Sequence, residues 1–467
     1  MAEKTTTDRP ETVRVGMISL GCAKNLVDGE VMLGHLDRAG LELTADPTAA
    51  DVVIVNTCGF ITDAKRESIE SILEVAEAKR TGRVARLVVS GCMAQAYADE
   101  LRREIPEIDA FIGLDQLEEI AEAVRGERPG SVPDQRGALR LYDHHHPRRL
   151  STGAYAYLKV AEGCNNPCTF CHIPAMRGRF RSRRVADLVA EARALEAQGV
   201  RELVLIAQDT TRYGEDLGVE HGLRTLLEAL VDATDVPWIR FLYAYPATLD
   251  EGLFELMARE PRVVAYLDIP LQHASRPVLK AMRRGGDARS YADMIARARS
   301  IVPDLAVRST FIVGFPGEGD AEFDELVDFI RDIRFDHLGA FSYSWQPENP
   351  GAELGDPVSE QLKEERRQIL MEVQQEISFD RNRALVGRRL PAIVAGPLEE
   401  MDLLLEGRLQ RQAPEIDGRL LINDGTATSG SLVEVEITEA HPYDVVGSIV
   451  SVTRPGDTLP VRLPVRV

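Results

Sequence analysis

Short apolar, β-branched runs alternate with amphipathic stretches over the first quarter of the chain. Residues 13–20, 51–55 and 84–90 read as buried parallel strands, each followed by a glycine-flanked turn and then a helical pattern. The segment 63–78 predicts a helix with Ile69, Ile72, Leu73 and Ala76 on one apolar face. Strands that alternate with helices in this way imply a parallel α/β domain over residues 12–127.

A second series begins near residue 154. Apolar runs at 155–160, 203–207, 239–244, 263–269, 307–313 and 338–343 alternate with helical stretches. Six βα units form an incomplete version of the eight-unit barrel, whose sites lie at the carboxyl ends of the strands. Charged helical sequence follows at 359–383, and short strands at 389–394, 420–422 and 432–437 suggest a small OB-like β-barrel. The fold class is therefore α/β with a C-terminal β-barrel. The expected division is a disordered tail 1–11, an α/β domain 12–127, a linker 128–150, a partial barrel 151–383, a β-barrel 384–453 and a tail 454–467. Proline and glycine mark the linker, and its His144-His145-His146 run reads as a solvated loop, because consecutive residues point in different directions.

Charge narrows the partners. A net charge of −20 and a pI near 5.0 argue against a large nucleic-acid footprint, which needs concentrated Lys and Arg. Residues 380–467 carry ten Arg and no Lys against thirteen Asp and Glu, a balance suited to a basic protein partner rather than RNA. One basic run, Arg177, Arg179, Arg181, Arg183 and Arg184, reads either as a contact for an anionic substrate or for a bound small molecule such as S-adenosylmethionine, or as a solvated loop. No apolar stretch approaches the ~20 residues of a membrane span, and the first residues lack a signal-peptide core, so a cytoplasmic protein without membrane contact is expected.

The six cysteines carry the chemistry. Cys164, Cys168 and Cys171 stand in C-x3-C-x2-C spacing, which can hold three irons of a 4Fe-4S cluster and leave the fourth open to a small molecule. Structural zinc usually takes four ligands in pairs, and no second pair is nearby. His172 directly follows Cys171 and reads as a neighbour of the site. Cys22, Cys58 and Cys92 are far apart in sequence, yet each lies just past a predicted strand beside a glycine. Carboxyl ends of parallel strands gather along one sheet edge, so these three can form a second three-thiolate site. Their other reading is as small core residues. Thiolates as iron ligands also fit a reducing compartment.

With Ser19-Leu20-Gly21-Cys22-Ala23-Lys24-Asn25, Asn56-Thr57-Cys58-Gly59-Phe60-Ile61, the C-x3-C-x2-C run with Arg177-Gly178, the stretch from Tyr266 to His273 and Ala413-Pro414-Glu415-Ile416-Asp417-Gly418, the chain resembles the radical S-adenosylmethionine (SAM) methylthiotransferase family over nearly its whole length. Within it the chain closely resembles the RimO-type enzymes. The resemblance implies two 4Fe-4S clusters, a SAM-cleaving one on Cys164, Cys168 and Cys171 and a methylthio-donating one on Cys22, Cys58 and Cys92, together with a C-terminal TRAM barrel. It implies transfer of a methylthio group to an aspartate β-carbon of ribosomal protein S12, with flavodoxin or ferredoxin as electron donor. It also implies SAM contacts at Phe170, Gln208, Gly314, Pro316 and Gly317, where ordinary turns are the other reading. Asp209 is a further candidate near SAM, Gln272 and His273 are candidates for the substrate pocket, and the 413–418 loop with Glu415 and Asp417 is a candidate partner contact. The segment from Ser344 to Pro350 departs from the family pattern and leaves Trp345 unassigned. A tRNA methylthiotransferase and a non-catalytic two-cluster electron carrier are the alternatives.

Overall fold

The computed structural model describes residues 13–128, 141–398 and 401–456. The chain forms two compact units that divide between Ser151 and Thr152. The tail expected at 1–11, linker residues 129–140 and residues 457–467 lie outside the described residues.

The first unit is built on β1 (Arg14–Ser19), α1 (Ala23–Arg38), β2 (Glu42–Thr44), β3 (Val52–Thr57), α2 (Thr62–Arg80), β4 (Arg86–Ser90), α3 (Gly91–Glu104), β5 (Ala110–Ile112) and α4 (Ile120–Arg125). The five strands are parallel in the order β2-β1-β3-β4-β5. The central strand β3 is buried along its whole length, as a strand between helices must be, so its first four residues, Val52 to Val55, are all apolar rather than alternating. Val53, Val55, Leu87 and Val89 pack with Ile72 and Ala76 of α2 and Ala94 and Ala98 of α3. Each buried Val or Leu contributes about 1.5–3 kcal/mol.

Three expectations are corrected here. The buried stripe of α2 is Ser68, Ile72, Val75 and Ala76, whereas Ile69 and Leu73 are exposed. The helix is turned to bring Ser68, fully buried, against the turn at Cys58. Residues 141–150, expected as linker, instead pack on α1 together with Ser151. The buried Glu30 carboxylate accepts from Arg148 at 2.6 Å and from the Ser151 amide and hydroxyl at 2.8 and 2.7 Å, and Tyr142 and Leu150 are buried. The histidine run is not wholly solvated, since His146 Nδ1 lies 3.0 Å from His35 Nε2.

The second unit opens with β6 (Tyr155–Lys159) and β7 (Ala161–Glu162), followed by α5 (Ile173–Arg177), β8 (Arg181–Ser182), α6 (Val185–Ala197), β9 (Glu202–Ile206), α7 (Gly222–Ala233), β10 (Trp238–Phe241) and α8 (Glu251–Arg259). It continues through β11 (Tyr266–Asp268), α9 (Arg276–Ala281), α10 (Ala288–Ile301), β12 (Ala306–Val313), α11 (Asp320–Ile333), β13 (His337–Ser342) and α12 (Glu360–Arg383). The parallel sets β6-β9-β10 and β11-β12-β13 are joined by a bridge between Ile239 and Val263, which completes the six-stranded partial barrel. Along β12 the positions alternate: Val307, Ser309, Phe311 and Val313 are buried, and the Phe311 ring meets Phe335 and Phe329 of the outer layer. Arg308, Thr310 and Ile312 turn the other way.

A five-stranded barrel closes the chain, formed by β14 (Arg389–Leu398), β15 (Met401–Leu409), β16 (Leu420–Asp424), β17 (Leu432–Ala440) and β18 (Val445–Arg454), in the closed order β14-β15-β16-β18-β17. β15 and β18 are not among the strands expected from the sequence. Register shifts within β14–β15 and β17–β18 break the two-residue alternation that would reveal them. Arg454, expected as the start of a tail, is the last residue of β18.

The 413–418 loop, expected as a partner contact, leaves Glu415 and Ile416 exposed and buries the Asp417 side chain. Its two acids are turned onto the partial barrel of the same unit, Glu415 onto the Tyr155 and Tyr157 hydroxyls and Asp417 onto the Tyr266 hydroxyl. Among the described residues no helix is long and apolar enough to cross a membrane.

Candidate functional site

In the first unit, the three cysteine-bearing turns lie at the carboxyl ends of β1, β3 and β4. Cys22 caps α1, and its carbonyl accepts the Asn25 and Leu26 amides. Cys58 follows β3, clamped by Ser68, whose hydroxyl both accepts from the Cys58 amide and donates to the Cys58 carbonyl, at 3.0 Å each. Cys92 is the second residue of α3 and is buried.

A polar ladder knits the strand ends together. The Asn56 amide donates to Ser19 Oγ at 3.0 Å and to the Asn25 carbonyl at 2.8 Å, and the Ser90 hydroxyl donates to Asn56 Oδ1 at 3.3 Å. Asn25 Nδ2 in turn donates to the Leu20 carbonyl at 2.7 Å. Two glycines are required by close approach: a Cβ on Gly21, at φ +93°, would sit 2.7 Å from Cys58 Cβ and 3.0 Å from its sulfur, and one on Gly91, at φ +89°, would sit 2.5 Å from the Thr57 carbonyl. A Cβ on Gly59 would lie 3.3 Å from Met93, the residue after Cys92. The fold thus brings together three turns separated by 36 and 34 positions in sequence.

In the second unit, Cys164, Cys168 and Cys171 occupy the loop after β6. Its base is closed by the antiparallel pair β7–β8, which sets Ala161 against Ser182 and Glu162 against Arg181. Beneath it, Glu162 is held by Lys159 at 2.8 Å and Arg177 at 3.0 Å, all three buried. Burial alone would raise the Glu162 pKa, but the two cations outweigh it and keep the carboxylate ionised, well below the usual range. Arg183 is likewise buried and paired with Asp187 at 2.7 Å and Glu191 at 2.6 Å. The basic run is therefore neither a solvated loop nor an open anion site. Arg177 and Arg183 brace the loop internally, and only Arg179 and Arg184 are exposed.

The thiols are close enough to influence one another. Burial raises the Cys164 thiol and pushes Cys171 up to about 12, with neighbouring cysteines adding to both shifts. Buried thiols of this kind become thiolates only with a cationic partner, which is what iron supplies. The Asn166 amide also points at Cys164 Sγ from 3.4 Å, and Asn166 Nδ2 donates to Asp209 at 2.8 Å.

The expected SAM contacts are distributed unevenly. Gln208 follows β9, and its Nε2 is buried without a protein partner, a donor left for a ligand. Asp209 is buried, and it also accepts from Thr211 at 2.7 Å. Phe170 packs against Val278, Met282, Phe315 and Tyr343. Gly314 has a packing reason of its own, because a Cβ there would run into Lys363 of α12. Pro316 is buried, and Gly317 is exposed at φ +95° with open space where a side chain would be. The turn is organised by Glu318, a residue sequence reasoning did not single out, which accepts from the Gly314 amide at 2.9 Å and from Arg366 at 2.8 Å.

His273 does not line an open pocket. It is fully buried, with Nε2 3.2 Å from Glu318 and Nδ1 accepting from the Ser275 amide at 2.9 Å. Gln272 is half-buried at φ +73°. The segment with Trp345 docks on the cysteine loop: Asn349 Oδ1 lies 3.0 Å from His172 Nδ1, and the Gly351 amide donates to the Thr169 carbonyl at 3.0 Å.

Three family models match the chain: the Uncharacterized protein family UPF0004 over residues 14–113, the Radical SAM superfamily over 158–330 and the TRAM domain over 386–450. Three relatives, each named ribosomal protein uS12 methylthiotransferase RimO, align over almost the whole chain. That of Solibacter usitatus is 47% identical over 96% of this chain and 97% of its own, and that of Geobacter sulfurreducens 46% over 94% and 99%. That of Anaeromyxobacter sp. (strain K) is 49% identical over 94% and 93%. Among solved structures, the radical SAM methyltransferase TsrM from Kitasatospora setae, with cobalamin and a [4Fe-4S] cluster bound, superposes with a TM-score of 0.54 at 18% identity, covering 73% of this chain and 77% of that one, which is a likeness of fold.

Proposed function

The chain belongs to the radical SAM methylthiotransferases of the RimO type, and on that premise we propose that it adds a methylthio group to the β-carbon of an aspartate in ribosomal protein uS12. Its cofactors are two 4Fe-4S clusters and SAM. The observation that carries the reading is the loop of Cys164, Cys168 and Cys171, seated at the carboxyl end of the first barrel strand with three mutually interacting thiols and no fourth cysteine.

An unactivated sp3 C–H bond has no acidity that a side chain can exploit, so the reaction needs the electron and the radical that cluster and SAM supply when bound. The residues of this chain hold and orient. Cys164, Cys168 and Cys171 would ligate the SAM-cleaving cluster, and the buried Lys159–Glu162–Arg177 set keeps their loop rigid. Gln208 has an unspent donor for SAM, and Phe170 gives the loop an apolar anchor. Cys22, Cys58 and Cys92 would ligate the methylthio-donating cluster, held at one sheet edge by Asn25, Asn56 and Ser68. A low-potential carrier such as flavodoxin or ferredoxin would supply electrons in the cytoplasm.

The test is anaerobic incubation of the reconstituted protein with SAM, a reductant, and either uS12 or bulk tRNA, followed by mass spectrometry. Methylthiolated uS12 is expected. Modification of tRNA alone would move the assignment to the tRNA-modifying branch.

A further inference from the structure

Arg284 lies more than a hundred positions from the cysteine loop in sequence, yet its Nη1 donates to Cys168 Sγ across 3.6 Å. The approach is built from several sides. Thr169, the residue after Cys168, donates its amide to the Met282 carbonyl at 3.2 Å and its hydroxyl to the Ala281 carbonyl at 2.9 Å, tying the end of α9 to the loop. Two residues on, Arg284 Nη2 donates to the Pro270 carbonyl at 2.7 Å, and the guanidinium lies over the Tyr245 ring 4.5 Å from its centre. Its Nε is buried without a protein acceptor. A planar donor fork held this way has lost the freedom to turn from the sulfur.

We infer that Arg284 sets the reduction potential of the SAM-cleaving cluster by donating an N–H to the Cys168 ligand. The inference rests on Cys168 being a cluster ligand, as proposed above. Hydrogen bonds and positive charge at a cluster sulfur stabilise the reduced state, which carries one more negative charge than the oxidised state, and so raise the potential. The cation therefore acts where the cluster accepts its electron, making it reducible by a weaker donor.

The test uses full-length protein carrying its clusters, with the Cys22, Cys58 and Cys92 set replaced by Ala so that one cluster reports. Arg284→Met and Arg284→Lys are compared with the parent by iron content and by EPR-monitored redox titration. The expected result is an unchanged iron content, a midpoint shifted to more negative potential in Arg284→Met, and a smaller shift in Arg284→Lys. An unchanged midpoint at full iron content would overturn the inference and leave the ligand assignment standing, whereas a parent without iron would overturn the ligand assignment itself. Should Arg284→Met lose its cluster, the parent protein grown with guanidino-15N arginine decides the matter. A 15N coupling to the reduced cluster in ENDOR supports the contact, and its absence rejects it.

Discussion

Asp417, in the loop after β15, accepts a 2.6 Å hydrogen bond from the hydroxyl of Tyr266, the first residue of β11. The same carboxylate takes the Ala413 amide at 2.7 Å and lies 3.4 Å from Arg308 Nε and 3.5 Å from His337 Nδ1. Tyr155, Tyr266 and His337 all start strands, so the C-terminal barrel closes the amino-terminal end of the partial barrel, opposite the end that carries the cysteine loop. Nearby, Arg408 reaches Glu202, and Arg240 donates to the Gln410 carbonyl at 2.7 Å.

Asp417→Ala should therefore destabilise the second unit strongly, because it leaves the Tyr266 hydroxyl without its buried acceptor and takes away one of the two carboxylates beside the Arg308 guanidinium. Breaking one side of a buried charged contact costs about 3–5 kcal/mol. Urea denaturation followed by tyrosine and tryptophan fluorescence should show a midpoint well below that of the parent. A shift within error would mean that the plug contributes little. For the same reason, deletion of the C-terminal barrel should yield aggregated protein rather than an intact SAM-cleaving core, since it uncovers Tyr155, Tyr266 and Arg240.

Acid should weaken the same junction through Glu202. Burial would raise its pKa, but Arg408 and Arg240 outweigh burial and hold it below its ordinary 4.5. A depressed folded value means that the stabilisation is complete above about pH 4.5, the unfolded value, and is lost as pH falls toward the folded one. Stability of the parent should be level in this contribution from pH 8 to 5 and decline below. Glu202→Gln should be less stable at pH 7 and show a shallower acid decline. Parallel declines would exclude Glu202 as a source.

Iron content separates the two cysteine sets. Reconstituted protein should hold about eight irons and eight sulfides if each site carries a four-iron cluster. Replacing Cys164, Cys168 and Cys171 with Ala should halve both and abolish SAM cleavage, while replacing Cys22, Cys58 and Cys92 should halve both and leave cleavage measurable. Ser68→Ala, which removes both bonds to Cys58, should lower iron occupancy of the second set alone.

With the Asp417 side chain buried in that junction, recognition of a basic protein by the C-terminal barrel falls to its exposed acids. Asp424→Asn with Glu439→Gln, both at exposed positions, should weaken binding to uS12 and flatten its salt dependence, because exposed charge attraction is screened over roughly 8–10 Å at physiological ionic strength. Titration calorimetry at two salt concentrations measures both effects. Equal affinities for parent and double variant would locate recognition elsewhere.

Local sequence determined much of this protein. The apolar runs of β3 and β4 and the spacing of Cys164, Cys168 and Cys171 are properties of neighbouring residues, so strands and cysteine motif were legible directly. The adjacency of the turns that carry Cys22, Cys58 and Cys92 was legible too, because parallel strands place their carboxyl ends on one edge whatever the intervening sequence. Other features depend on contacts between distant segments and leave no local pattern. Ile69 and Leu73 look as apolar as Ile72, and only the demand for Ser68 at the Cys58 turn decides which stripe of α2 is buried. Arg177 and Arg183 look like a solvated basic run until Glu162, Asp187 and Glu191 are folded against them. Arg284 carries no signal in its own neighbourhood, and Asp417 reads as an ordinary acidic turn. Tertiary structure decides these positions because a buried charge is tolerable only beside its partner, and the partner's position is set by the fold rather than by the adjacent residues.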